Sequence, residues 1–386
     1  MKKVYLDNAA TTPIHPKVRE KMIRFLSEDF GNPSSIHSFG RKVKVAVEEA
    51  REIVAGFLNC DPSEIYFTSG GTEANNFILS GIMKTNFEDS GKNLLVTSQT
   101  EHDSVIKTAE ILSRDFEVKL LDSDKRGSIP LEKFKMSIDA QNLSLVSVMT
   151  TNNETGIKTP HLNELIEMTH SAGAFFHSDA VQSFGKEKID LQELQVDALT
   201  ASAHKIFGPK GTGFAFIRSG TPVSPLIHGG AQERNRRGGT ENVAGIVGLA
   251  EAVKIASQEM DDNFAKVNSL RNLLREGIRS IDSDNIKFNE GEKQSPYVLS
   301  VTLSPEKYLT DTESILMYLD INGIAVSAGS ACTSGTVKAS HVITGMGYGK
   351  DYASGTIRFS FSPLNTTEEI DYTLEIFKNL TEKFCK

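Results

Sequence analysis

The strongest constraint in this chain is an alternation that runs through its first half: a short, largely apolar run, a polar loop, then an amphipathic segment. EIYFT (64–68) leads through SGGT into ANNFILSGIM. NLLVT (93–97) leads through SQTEH into DSVIKTAEIL. LSLVSVM (143–149) leads through TTNNETG into a helix expected from near His161, and AFFH (174–177) leads into SDAVQ. Strands that alternate with helices in this way predict an α/β fold built on a mostly parallel sheet, covered on both faces. VDALTAS (196–202) and TGFAFIR (212–218) read as two more strands, joined by AHKIFGPKG.

Ahead of the first strand, Gly40–Leu58 carries Val43, Ala46, Val47, Ala50, Ile53, Val54, Phe57 and Leu58 at helical spacing, which predicts an amphipathic helix. A long helix is expected from about Glu251. Beyond it the pattern changes: strands YVLSVTL (297–303) and TIRFSFS (356–362) mix with helices ESILMYLDING and EEIDYTLEIFKNLTEKF. That change predicts a second, smaller α+β domain. The length of 386 residues suits two to three domains, and 39% hydrophobic residues suffice for a substantial core.

Composition also excludes function classes. A net charge of −8 argues against a nucleic-acid or anionic-membrane surface. No apolar run approaches the roughly 18 residues that span a bilayer. MKKVYLDNAATTP has no apolar stretch behind its lysines, so no signal peptide is expected. Cys60, Cys332 and Cys385 are scattered and without CxxC spacing, which suggests neither a disulfide framework nor a zinc site. A soluble protein of the cytoplasm is expected.

In open α/β sheets, ligands bind beyond the carboxyl ends of the strands. The residues that follow the strands here are Gly71 and Thr72, His102, Asn152 and Asn153, Asp179 to Gln182, and His204 and Lys205. Glycines between strand and helix let backbone N–H groups approach a phosphate, although Thr72 taken alone also reads as a helix cap. Asp179 can pair with a protonated ring nitrogen, or serve as a cap or salt bridge. A lysine near a pocket, such as Lys205, loses hydration and can form a Schiff base; in isolation it equally reads as a solvated turn lysine. Phosphate cradle, ring partner and amine together are the protein parts of a pyridoxal-phosphate site. His102 begins a helix whose dipole opposes its protonation, and a neutral ring can stack on a flat cofactor or relay a proton. Arg358 alternates with Ile357 and Phe359 on its strand, so its guanidinium faces away from theirs and suits a substrate carboxylate.

YLDNAATTP, GNPSSIH, FTSGGTEANN, EHDSV, NNETG, HSDAVQ, SAHKIFGPKG, RRGGTEN and SAGSACTSG, in this order, resemble the NifS/IscS-type cysteine desulfurases, class V aminotransferases with the type I pyridoxal-phosphate fold. The resemblance implies a large cofactor-binding domain over 15–255, and a small domain from 1–14 and 256–386 that carries the Cys332 loop. It implies that Lys205 holds pyridoxal 5′-phosphate, that Asp179 pairs with its pyridine nitrogen and Gln182 with its phenolic oxygen, and that His102 stacks on the ring. Gly71, Thr72, Ser202 and His204 hold the phosphate, joined by Thr240 from the neighbouring subunit of a homodimer. Asn32, Asn153 and Arg358 orient L-cysteine. Cys332, as thiolate, takes the sulfur as a persulfide and alanine remains, with His102 as proton shuttle. The loop SAGSACTSG resembles that of the longer-loop group, which serves iron–sulfur cluster assembly or thio-modification. The implied partner is a sulfur acceptor or an iron–sulfur scaffold, with which Cys332 transiently shares a cluster. No intrinsic metal site is implied. The alternative is another class V enzyme, an aminotransferase or a selenocysteine lyase; plain transamination has no use for Cys332.

Overall fold

The computed structural model describes residues 2–329 and 339–386. In chain order the strands of the described residues are β1 (Val4–Tyr5), β2 (Ile65–Thr68), β3 (Leu94–Ser98), β4 (Glu117–Leu121), β5 (Leu143–Ser147) and β6 (Phe175–Asp179). They continue with β7 (Ala198–Ser202), β8 (Gly213–Ile217), β9 (Ile286–Phe288), β10 (Val298–Leu303), β11 (Ile324–Ala325) and β12 (Thr356–Ser360).

The main sheet has the order β2-β8-β7-β6-β5-β3-β4. Strands β7, β6, β5, β3 and β4 are parallel, and β8 lies antiparallel to both β2 and β7. The alternation of strand and helix therefore gives the expected mostly parallel sheet. Strand side chains separate onto its two faces as the pleat requires. Leu95 and Leu145 join Phe77, Ile78 and Ile82 of the helix Gly71–Ser90 on one face, while Val96, Val146 and Phe176 join the helices of the other. Strand β8 turns back at Gly213, whose Cβ position lies 2.7 Å from Gly70 Cα and 2.6 Å from Ala201 O, so any side chain there would push the Ser69–Gly71 loop outward.

A second core surrounds the sheet β12-β10-β9. Ile357, Phe359 and Phe361 point into it together with Leu299 and Val301 of β10. The long helix runs Val243–Ile281, starting ahead of the expected Glu251, and it serves both cores: Ile246, Leu249 and Val253 pack on the first, Val267, Leu270, Leu274 and Ile278 on the second. The N-terminal strand β1 pairs in parallel with β11, so Val4 and Leu6 also belong to the second core. Among the described residues no helix is long and apolar enough to cross a membrane.

Candidate active site

The carboxyl ends of the parallel strands open into a cavity of about 340 Å³. Ten of the residues singled out from the sequence line it: Gly71, Thr72, His102, Asn153, Asp179, Gln182, Ser202, His204, Lys205 and Arg358. They arrive on several separate pieces of chain. Asp179 and Ser202 end β6 and β7, Gly71 and Thr72 open the helix after β2, and Arg358 comes across from β12 in the second sheet.

The helix Gly71–Ser90 is capped by Gly70 with no side-chain hydrogen bond, so Thr72 stands inside the first turn and is not the cap. Its leading N–H groups face the cavity without a competing side-chain acceptor, which leaves them and the helix dipole to an anion. Gly71 is required for that approach: a Cβ would stand 2.8 Å from Val181 Cγ2. Ser202 is buried beside them, and His204 holds Thr11 Oγ1 at 3.1 Å through Nδ1. Burial, aided by the Lys205, Lys210 and Lys186 cations, pushes the His204 imidazole down to about 4, so at neutral pH it is an uncharged partner.

Asp179 is buried, with Oδ2 accepting from Asn75 Nδ2 at 2.8 Å and Oδ1 from Val181 N at 2.9 Å. The same Asn75 amide donates to Ser104 Oγ at 2.8 Å, and Ser104 Oγ stands 2.8 Å from His102 Nδ1. His102 is the N-cap of the helix Asp103–Leu112 and accepts from Ser104 N at 3.1 Å. A backbone donor at Nδ1 puts the neutral ring's proton on Nε2. Asn75 thus ties carboxylate and imidazole into one network.

Lys205 Nζ donates to Ala9 O at 2.6 Å and Ala10 O at 2.7 Å. Burial, reinforced by the Arg358 cation and opposed by Asp7 and Asp179, lowers its pKa from 10.5 to about 8. An amine so placed loses its proton far more readily than one in water. Arg358 is buried, although it was placed on the strand face away from Ile357 and Phe359, because the N-terminal segment covers that face. Its Nη2 donates to Asp7 Oδ1 at 3.0 Å and its Nη1 to Asn153 O at 2.9 Å. Arg358 Nε and Asn153 Oδ1 are buried without a partner among the described residues. Unmet buried donors and acceptors are costly, and two in one cavity wall point to a ligand.

Two of the expected residues that the structure describes do not line this cavity within one chain. Asn32 accepts from Ser34 N at 2.9 Å in an exposed segment. Thr240 is exposed and borders a separate recess with Thr68, Ser69 and Glu241. Cys332 lies outside the described residues; the described chain reaches Gly329, itself in the cavity lining. Sequence reasoning assigned no role to Asp7 or Asn75, although both lie inside the quoted motifs YLDNAATTP and FTSGGTEANN.

A mostly parallel sheet whose strand ends gather a buried carboxylate, an uncapped helix start and an easily deprotonated lysine has the parts of an α/β enzyme of the pyridoxal-phosphate type. The chain belongs to the aminotransferase class-V family, whose pattern matches residues 4–373. Over 383 residues it is 40% identical to the cysteine desulfurase IscS of Dictyoglomus turgidum, covering 99% of this chain and 95% of that protein. It is 41% identical to the putative cysteine desulfurase IscS 1 of Bacillus subtilis, covering 99% and 100%. Among solved structures it resembles a NifS-like protein, with a TM-score of 0.90 at 37% identity, covering 99% of this chain and all of that one. It also resembles SspA in complex with cysteine, with a TM-score of 0.79 at 32% identity, covering 95% and 100%.

Proposed function

We propose that this protein is a pyridoxal-phosphate-dependent cysteine desulfurase that converts L-cysteine to L-alanine and passes the sulfur to Cys332 as a persulfide. One observation carries the reading: the Lys205 amine, the Asp179 carboxylate, the uncapped helix start at Gly71 and the Arg358 guanidinium line one cavity. Full-length likeness to proteins named cysteine desulfurase supports the choice of substrate.

The donor set fits pyridoxal 5′-phosphate. Gly71, Thr72, Ser202 and His204 would hold the phosphate, Asp179 the pyridine nitrogen, Gln182 the phenolic oxygen, and Lys205 the aldehyde carbon, with His102 against the ring. Bound there, the cofactor supplies an electron sink for the bonds of an amino acid's α-carbon. The chain's residues do the rest. Asp179, held by Asn75 and Val181 N, is oriented to pair with a protonated ring nitrogen. Arg358 and Asn153, whose Nε and Oδ1 are unmet among the described residues, orient the substrate's carboxylate and amine. Lys205 Nζ, easily deprotonated, takes and returns the α-proton. His102 Nε2 carries a proton on the thiol side, and the Cys332 thiolate forms the new S–S bond as the Cβ–S bond of L-cysteine breaks, the carbon keeping the electron pair and taking up a proton to become the methyl group of alanine.

A homodimer completes the site. Ile23, Leu26, Phe30, Ile36 and Phe39 are exposed, with Ile36 at 91% and the Phe30 and Phe39 rings 5.8 Å apart, an apolar surface that suits a second copy. Thr240 of each subunit would then join the other's phosphate cradle, and Asn32 stands within the same exposed segment. The two cores support a large unit over 15–255 and a small one from 1–14 and 256–386. The enzyme would work in the cytoplasm and hand sulfur to an acceptor or iron–sulfur scaffold protein.

The test is incubation of the purified protein with pyridoxal phosphate, L-cysteine and a reductant. Alanine and sulfide should appear in equal amounts, Cys332→Ala should abolish both, and Lys205→Ala should lack the wild type's visible absorbance. Full-rate sulfide release from Cys332→Ala would refute the persulfide step; amino-group transfer without sulfide would favour a plain aminotransferase.

A further inference from the structure

Lys186 is 7% exposed, yet among the described residues its ammonium meets no carboxylate in a salt bridge. Its Nζ donates to Gln182 Oε1 at 3.0 Å, and the ring of Tyr297 lies 5.3 Å away. Gln182 in turn donates from Nε2 to Ala9 O at 3.1 Å, the carbonyl that also accepts Lys205 Nζ at 2.6 Å. A line of hydrogen bonds therefore runs from Lys186 through Gln182 and Ala9 to the amine in the cavity.

The consequence lies in the Gln182 amide. Its oxygen and nitrogen ends are nearly the same shape, and only their partners decide which way round it sits. An ammonium has donors and no acceptor, so Lys186 can face only Oε1. That leaves Nε2 for Ala9 O, with one N–H to spare, and Gln182 lines the cavity. We propose that Lys186 is a positioning residue that locks Gln182 with an N–H toward the cavity, so that the site presents a donor to an anionic ring oxygen. The inference rests on the pyridoxal-phosphate reading above, in which that oxygen is the cofactor's phenolate.

The surrounding charges make the lock sensitive to pH. Burial, the Lys205 cation and, more weakly, Arg358 lower the Lys186 ammonium to about 7, against the attraction of Glu187. Glu187 is already engaged by Lys158 at 2.6 Å. His204, the other titratable neighbour that feels Lys186, is itself held neutral by burial.

The experiment titrates the visible absorbance of the loaded full-length protein with pH, for wild type, Lys186→Met, Lys186→Arg, Gln182→Leu and the Lys186→Met/Gln182→Leu double variant. An N–H donated to a phenolate favours the deprotonated chromophore, so its loss should raise the spectroscopic midpoint by about one pH unit, the order expected for a hydrogen bond to a charged group. Lys186→Met should show that rise and Lys186→Arg should stay near wild type. In the Gln182→Leu background, Lys186→Met should move the midpoint less than half as far. A full shift in that background would show a through-space charge effect and overturn the positioning role, as would an unshifted Lys186→Met. Lys186→Gln serves the same comparison should the methionine variant not fold. A wild-type protein that takes up no pyridoxal phosphate refutes the underlying reading instead, which separates the two failures.

Discussion

Lys205 has a cost to folding that pH should reveal. Its amine falls from 10.5 in water to about 8 in the fold, chiefly through burial. A fall of that size corresponds to roughly 3 kcal/mol of preference for the neutral form. The unfolded chain binds the proton up to about pH 10.5 and the folded chain only to about pH 8, so the unfolded state holds more protons between those values. Stability therefore rises with pH across that window, by roughly 1.4 kcal/mol per unit, and the cost is fully present below it. Lys205→Met has no such proton, so its stability lacks this rise. The assay is urea unfolding of the protein with Lys205 and with Lys205→Met, both prepared without cofactor, at pH 7, 8, 9 and 10. Because the Lys205 cation also lowers the Lys186 amine, both proteins carry Lys186→Met, so that Lys205 is the group whose titration differs between them. The Lys205→Met protein should be the more stable relative to its Lys205 counterpart at pH 7, and that margin should shrink by about 2 kcal/mol between pH 8 and pH 10. Parallel stability curves over those two units would refute the argument, because they would mean that the fold leaves the amine as well solvated as the unfolded chain does.

Three other outcomes follow from the geometry. Glu233 is bound by Arg51 at 2.8 and 3.0 Å, both side chains being buried, and it accepts from Phe67 N at 2.9 Å; Glu233→Ala should destabilise by about 3–5 kcal/mol, and the double Arg51→Met/Glu233→Met variant by less than either single one in urea unfolding. Gly71→Ala, which forces a Cβ to 2.8 Å from Val181 Cγ2, should weaken pyridoxal-phosphate binding about tenfold or more in an absorbance titration, or ~1.4 kcal/mol. Arg358→Lys loses the planar fork and should raise the KM for L-cysteine by roughly 10- to 100-fold while kcat changes far less; an unchanged KM would remove Arg358 from the carboxylate.

The sheet was legible because its strands are buried on both faces. β5 and β7 are buried at every position, so their apolar runs announce themselves between polar loops. The residues that line the cavity were legible for a linked reason: parallel strands deliver their following residues to one edge, whatever loops lie between. The edge strand β4 was not readable, since Leu121 alone of EVKLL is buried and the rest carries no pattern. The helix Pro16–Ser27 escaped in the same way, with Val18 buried and Ile23 and Leu26 exposed. The start of the long helix was missed because VAGIVGLAEAV is buried nearly all round, which erases the period that marks an amphipathic helix. Asn75 lies in the second turn of its helix, beyond the cap positions, where an asparagine signals nothing until the fold sets it between Asp179 and Ser104. Asp7 meets Arg358 across most of the chain, a distance in sequence that no local pattern records.

The N-terminal segment decides how the two cores meet at the cavity. Its backbone accepts the Lys205 amine at Ala9 and Ala10. Thr12 N and Oγ1 both donate to His204 O, at 3.0 and 3.1 Å, and Thr12 Oγ1 accepts from Phe207 N at 2.8 Å, so the turn that carries Lys205 is tied on both sides. On the other side, Asp7 pairs with Arg358 and accepts from Ser327 Oγ at 2.7 Å, while Asn8 Nδ2 donates to Ser360 O at 2.9 Å. Amine and guanidinium thus belong to different sheets but share one short anchor, Asp7 to Thr12. Two cations held in one cavity repel, and the carbonyls and carboxylate of that anchor offset the repulsion without supplying a fixed ion pair to Lys205. The arrangement leaves the amine able to give up its proton beside a guanidinium held in place, which is the division that the proposed binding of an aldehyde and a carboxylate would use.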